Sequence, residues 1–75
     1  MAIEVVSSES ASQLSRKVSL YLTNGSKSVW AVYPEEQKVW IYTPGHATEF
    51  QRDRTLEDPI LAGFRAPVSA LFEGI

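Results

Sequence analysis

The sequence predicts an α+β domain in which a small mixed sheet packs against one main helix. Residues 2–6 form a short run rich in β-branched side chains and bounded by serines, which is typical of a strand. The segment Ala11–Thr23 carries apolar residues at helical spacing. Residues 28–33 and 38–43 predict two further strands, joined as a hairpin by a loop of four residues. This order of strand, helix, strand, strand defines the fold class.

The helix is the best-defined element of the sequence. Its apolar stripe has the spacing i, i+4, i+7, i+8, and consists of Leu14, Val18, Tyr21 and Leu22. Serines just before residue 11 are suitable N-caps, and Asn24-Gly25 is a typical C-terminal stop. Because the helix lies between the first two strands, we expect those strands to be parallel neighbours joined by a right-handed crossover.

The predicted hairpin is apolar on both faces. With Tyr33 opposite Lys38, one face carries the pairs Val32–Val39 and Trp30–Ile41. The other face carries Val29, Ala31, Trp40 and Tyr42. A hairpin of this kind requires cover on both sides, and one helix covers only one of them.

The C-terminal third predicts shorter elements. Pro44-Gly45 is a turn, after which residues 48–52 are expected to add a third antiparallel strand. Residues 58–64 predict an irregular apolar wrap. Pro67 suits the first turn of a short C-terminal helix, whose apolar positions are Val68, Leu71 and Phe72.

Length and charge exclude several classes of protein. A chain of 75 residues has room for a single domain, which we place at residues 1–75. The net charge of −2 does not support binding to nucleic acid through phosphates. There is no cysteine, no signal peptide and no apolar run of about 20 residues that would span a bilayer. We therefore expect a cytoplasmic protein that has no membrane partner.

Two charged residues are the candidate site. Glu4 lies between Ile3 and Val5 in an apolar strand, so its carboxylate is either at an exposed edge or held by a cation or a metal. Lys17 lies about 60° from Leu14 around the helix and is able to reach over the sheet toward Glu4. Alternatively, the aliphatic part of the Lys17 side chain covers the edge of the core while its ammonium stays in water.

Other candidates are weaker. His46 is the only histidine and follows a turn, where such residues are usually solvated. Trp30, Trp40 and Tyr42 are of the type that stacks on bases, but aromatic residues in an apolar hairpin are more often core.

Several segments together resemble the Uma-type restriction endonuclease family. They cover nearly the whole chain in order: residues 3–7, 13–17 with Tyr21, 24–25, 29–34, 39–42, 44–45, 55–56, 61–64 and 71–72. The resemblance implies half of a restriction-endonuclease-like core, the PD-(D/E)XK nuclease fold of largely uncharacterised bacterial proteins. In that fold an Asp and a Glu on adjacent strands hold a divalent ion, usually magnesium, and a lysine assists attack on the phosphate.

By position, the resemblance implies that Glu4 is the metal-binding carboxylate and Lys17 the catalytic lysine. The chain also departs from the family pattern. The first metal-binding Asp of the family precedes the position of Glu4. Gln13 and Tyr33 each replace an Asp of the family pattern, and Ser8 replaces a Pro. We therefore expect a truncated domain whose site is vestigial and which is catalytically inactive by itself, with no cofactor, or with magnesium if active.

Two alternatives remain at the level of sequence. One is a metal-dependent DNA endonuclease whose site, including a metal at Glu4, is completed by another chain. The other is an interaction module that binds a full-length relative through strand addition. In each case a small core and an open first strand predict self-association, most simply as a homodimer.

Overall fold

The computed structural model describes residues 1–8, 10–58, 60–61 and 63–73, and its central element is a four-stranded mixed sheet. The elements in chain order are β1 (Ala2–Val5), α1 (Ala11–Thr23), β2 (Val29–Tyr33), β3 (Lys38–Thr43), β4 (His46–Phe50), β5 (Thr55–Glu57), β6 (Arg65–Pro67) and a 3₁₀ helix (Val68–Phe72). The large sheet has the order β1-β2-β3-β4, and β5 and β6 form a second, two-stranded sheet. The predicted α+β class is confirmed.

The parallel β1–β2 pair and the hairpin have the predicted arrangement. β1 pairs with β2 in parallel, with Glu4 beside Ala31. In the antiparallel β2–β3 pair, Tyr33 lies opposite Lys38, which confirms the predicted register.

Polar residues define both ends of α1. Ser10 is the N-cap: its Oγ accepts a hydrogen bond from the Gln13 backbone N–H at 3.2 Å, and its own N–H donates to Gln13 Oε1 at 3.0 Å. This reciprocal capping box satisfies two N–H groups that the first turn leaves unpaired. At the other end Gly25 has a φ of +101°, a conformation that favours glycine.

α1 covers one face of the large sheet. The buried residues between them are Leu14, Val18, Val29 and Ala31. The opposite face is covered by β5, β6 and the 3₁₀ helix, and its buried cluster consists of Trp30, Val39, Ile41, Leu56, Val68 and Phe72. The chain therefore supplies the second cover that the apolar hairpin requires.

Two predictions in the C-terminal third need correction. β4 spans residues 46–50 rather than 48–52, because Gly45 at a φ of +78° closes a two-residue turn and Thr43 pairs directly with His46. Pro67 ends β6 and occupies the N-cap position of a 3₁₀ helix, so it precedes the first helical turn.

The predicted apolar wrap at 58–64 is the irregular connection between β5 and β6, and Pro59 and Ala62 within it lie outside the described residues. Leu61 packs against the buried cluster on the face opposite α1, and the ring of Phe64 contacts that of Trp30.

Candidate functional site

Glu4 lies on β1, on the sheet face that α1 covers. Along this strand Ala2 and Glu4 are half-buried, whereas Ile3 and Val5 are exposed on the opposite face. The Glu4 side chain retains 17% of its exposure. This alternation follows from the two-residue period of a strand, and it turns the only charge of β1 toward the helix.

The helix supplies two donors to this carboxylate. Tyr21 Oη donates a hydrogen bond of 2.6 Å to Glu4 Oε1, and Lys17 Nζ lies 3.7 Å from Glu4 Oε2. Residues 17 and 21 are one helical turn apart and lie on the same side of α1. The predicted approach of Lys17 to Glu4 is confirmed.

The apolar stripe predicts a core position for Tyr21 and not its role at this carboxylate. Its side chain is at the edge of the core with a relative exposure of 36%. The available signal was its i+4 spacing from Lys17, which places both side chains above the same part of β1. The site is therefore a carboxylate held by one neutral and one charged donor from a single helix.

A family model and a solved structure similar to this chain are both described as putative nucleases. The family model Uma2, described as "Putative restriction endonuclease", matches residues 1–69. The chain belongs to the Uma2 family. A solved structure described as a "putative nuclease belonging to DUF820 from Anabaena variabilis ATCC 29413" is similar over 93% of this chain, at 26% identity and a TM-score of 0.78. The chain spans 41% of that nuclease, and no curated protein matches it.

The Uma2 resemblance implies a magnesium ion, and the described residues do not complete a site for one. Mg²⁺ requires an octahedral set of oxygen ligands, usually one or two carboxylates together with waters and substrate phosphates. The described residues contain no group of three or more His, Cys, Asp or Glu side chains that could hold a metal. Both oxygens of Glu4 already face donors.

Two positions that differ from the Uma2 pattern have structural roles here. Gln13 forms the capping box of α1. Tyr33 packs against the helix-side core, and Lys38 Nζ lies 5.4 Å from the centre of its ring. Burial raises the pKa of Tyr42, and the neighbouring Tyr33 hydroxyl raises it further. Aromatic packing therefore occupies the position of Tyr33, where the resemblance led us to expect an Asp.

The remaining aromatic residues belong to the core. Trp30 is buried, and its indole N–H donates a hydrogen bond of 2.7 Å to Asp58 Oδ2. The rings of Trp40 and Tyr42 stack at 6.2 Å, and both side chains are half-buried against the helix-side core. These contacts favour the core interpretation over a base-stacking surface.

Asp58 is a buried carboxylate that the sequence analysis did not single out. It has a relative exposure of 3% and also accepts a hydrogen bond of 2.9 Å from the Ile60 N–H. Burial raises the pKa of Asp58, but the hydrogen bonds from Trp30 and Ile60 outweigh it and hold the pKa below the usual value. The Ser28 hydroxyl and the N-terminal ammonium act in the same direction, although Ser28 Oγ makes no hydrogen bond of standard geometry within the described residues.

His46 is exposed at the start of β4 and lines an open cleft of about 570 Å³ between the large sheet and the β5–β6 connection. Within the described residues, it belongs to no group of three or more His, Cys, Asp or Glu side chains that could hold a metal. No described helix is long and apolar enough to cross a membrane.

Proposed function

We propose that residues 1–75 carry the Glu–Lys part of a nuclease-type site and do not cleave nucleic acid by themselves. The observation that carries this proposal is the set of contacts that the Glu4 carboxylate makes. By the family resemblance Glu4 corresponds to the metal-binding carboxylate, and its two oxygens face Tyr21 Oη and Lys17 Nζ.

Electrostatics supports the same conclusion. Bringing a divalent cation to Glu4 adds a second cation beside the Lys17 ammonium, and like charges around one carboxylate repel each other. Coordination by one carboxylate does not compensate for the free energy needed to remove water ligands from Mg²⁺. In addition, a chain with a net charge of −2 lacks the general attraction for phosphates that would concentrate DNA on its surface.

A cleavage assay tests this proposal. The purified 75-residue chain is incubated with supercoiled and single-stranded DNA in the presence of Mg²⁺ or Mn²⁺, beside the Glu4→Gln variant, which keeps the size of the side chain and removes its charge. We expect no cleavage above background from either protein. Cleavage by the unmodified chain that disappears in Glu4→Gln would contradict the proposal.

A second candidate is a nuclease completed by another chain. The observation that favours it is the place of Glu4 on β1, which within the described residues pairs with β2 alone. A strand added on the other side of β1 would bring its own side chains next to Glu4. To test this candidate, the chain is mixed with a longer member of the Uma2 family in which the lysine that corresponds to Lys17 has been replaced. The candidate predicts that the mixture cleaves DNA and that this cleavage requires Lys17 of this chain.

A further inference from the structure

The Glu4 carboxylate meets its two donors through different oxygens. Tyr21 Oη donates to Oε1 at 2.6 Å, and Lys17 Nζ lies 3.7 Å from Oε2. The side chain of a glutamate turns about several bonds, and its last torsion is soft, so that the carboxylate plane rotates easily. Donors on both oxygens define this plane, and the two donors differ in how firmly each holds its oxygen.

Tyr21 makes the firmer of the two contacts. Its separation of 2.6 Å from Glu4 is typical of a strong hydrogen bond from a hydroxyl to a carboxylate. The 3.7 Å between Lys17 and Glu4 exceeds the length of about 2.8 Å that is typical of a directed ammonium–carboxylate hydrogen bond, so Lys17 acts on Glu4 mainly through its charge. A tyrosine side chain also loses little conformational entropy when it is fixed, whereas the stem of a lysine is long and flexible.

The C-terminal cap of α1 fixes the backbone from which Tyr21 projects. Gly25 has a φ of +101°, and the Ser26 N–H donates to the Tyr21 carbonyl at 3.0 Å, which is the 6→1 hydrogen bond of a Schellman motif. Asn24 also donates to the Leu20 carbonyl, through its backbone N–H at 3.0 Å and its side-chain amide at 2.7 Å. Because the ends of helices fray, these bonds are what hold Tyr21 in place in the last turn.

The direction of helical side chains then brings the Tyr21 hydroxyl to Glu4. Side chains on an α-helix lean toward its N-terminus, over the preceding turn. Tyr21 therefore reaches back along α1 toward Lys17, one turn earlier, and both side chains meet the same carboxylate. The cap, the ring and the hydrogen bond form one continuous support from the end of α1 to β1.

We infer that Tyr21 is a positioning residue, which orients the Glu4 carboxylate so that Oε2 stays directed toward Lys17. This inference rests on the proposed function, in which Glu4 and Lys17 are the Glu–Lys part of a nuclease-type site. The charged groups of a functional site must be held within about 0.5 Å of their working geometry by supporting contacts. Glu4 and Lys17 supply the charges of the site, and the neutral Tyr21 hydroxyl fixes their geometry.

A purely stabilising role for Tyr21 makes a different prediction. In that case the hydrogen bond adds to the stability of the fold, and its removal leaves Glu4 directed toward Lys17 as before. The positioning role predicts instead that loss of the Tyr21 hydroxyl releases the Glu4 side chain and lets the Lys17 ammonium move. The orientation of Glu4 and the mobility of Lys17 therefore distinguish the two roles, whereas the free energy of unfolding does not.

NMR spectroscopy of the intact, isotopically labelled chain measures both quantities. Three-bond couplings give the side-chain rotamer populations of Glu4, and relaxation of the Cε methylene gives the mobility of Lys17. In Tyr21→Phe we expect the preference of Glu4 for its bonded rotamer to fall by about tenfold, which corresponds to about 1.4 kcal/mol and is close to the lower end of what a hydrogen bond to a charged group contributes. The mobility of Lys17 is expected to rise toward that of the exposed Lys27.

Two further variants separate Tyr21 from its neighbours. Tyr42→Phe is the matched control, because it removes a hydroxyl from a half-buried ring that packs against the helix-side core, and we expect it to leave Glu4 unchanged. Lys17→Met removes the other donor, and we expect it to lower the rotamer preference of Glu4 less than Tyr21→Phe does. Circular dichroism establishes that each variant is folded.

Three results would overturn the inference. In the unmodified chain, rotamer populations of Glu4 that are averaged like those of the exposed Glu35 would do so without any variant. The second is an unchanged Glu4 in folded Tyr21→Phe, and the third is an equal loss of preference in Lys17→Met, because the ammonium would then orient the carboxylate. The cleavage assay is a separate measurement: DNA cleavage by the unmodified chain contradicts the proposed function, and the Glu4 couplings alone decide the role of Tyr21.

Discussion

The hydroxyl of Tyr21 donates a hydrogen bond of 2.6 Å to a carboxylate oxygen of Glu4, so that the last turn of α1 is linked to β1 of the sheet. A hydrogen bond to a charged group is stronger than one between neutral groups. Tyr21→Phe removes the hydroxyl and keeps the ring. We expect it to lower the free energy of unfolding by about 1–2 kcal/mol in urea denaturation.

A double-mutant cycle separates this hydrogen bond from other effects of the substitution. If Tyr21 acts through Glu4, then Tyr21→Phe costs less in the Glu4→Ala background, which has no side-chain acceptor, than it does in the unmodified chain. Additive effects of the two substitutions would show that the bond does not couple the two residues.

Lys17 is expected to contribute less than Tyr21 to stability. Its ammonium lies 3.7 Å from Glu4, and its side chain is 46% exposed. Ion pairs of this kind contribute about 0–1 kcal/mol and weaken with salt. Lys17→Met keeps most of the aliphatic chain, and we expect it to lower the free energy of unfolding by less than 1 kcal/mol. A loss larger than that of Tyr21→Phe would contradict this order.

The small second sheet is expected to be integral to the domain. Leu56 on β5 is fully buried between the large sheet and the 3₁₀ helix. Leu56→Ala should cost about 2–5 kcal/mol, a large part of the stability of so small a domain. Thermal unfolding followed by circular dichroism checks this, with the exposed Leu20→Ala as the matched control. An unchanged melting temperature would show that β5 is dispensable.

Asp58 is expected to make the protein sensitive to acid. Its pKa in the folded state is lowered, whereas an unfolded Asp titrates near 3.9. Its carboxylate therefore stabilises the fold fully above about pH 4, and this contribution is lost as the pH falls through the lower, folded pKa. Urea midpoints measured from neutral to acid pH should fall less steeply in Asp58→Asn, and parallel profiles would contradict the assignment.

Elements with a strong local pattern were predictable from the sequence. The helical spacing of Leu14 and Val18 defined α1, and the hairpin register followed from loop length and apolar pairing. The approach of Lys17 to Glu4 followed from the same helical geometry.

Features that depend on distant partners were not predictable. β5 has three residues and a single buried side chain, Leu56, so no period was available to detect it. Asp58 is buried because Trp30, 28 positions earlier, donates to it. Tyr21 was read as core because an apolar ring at stripe spacing does not show where its hydroxyl lies.

Manganese binding reports whether Glu4 is available as a metal ligand. Mn²⁺ broadens the NMR signals of residues near its binding site, so a titration of the isotopically labelled chain maps any site by residue. We expect no saturable broadening around Glu4, Lys17 and Tyr21, and the same spectra for Glu4→Gln. Saturable broadening that is centred on Glu4 and abolished in Glu4→Gln would show that this chain holds a metal by itself, which would contradict the account.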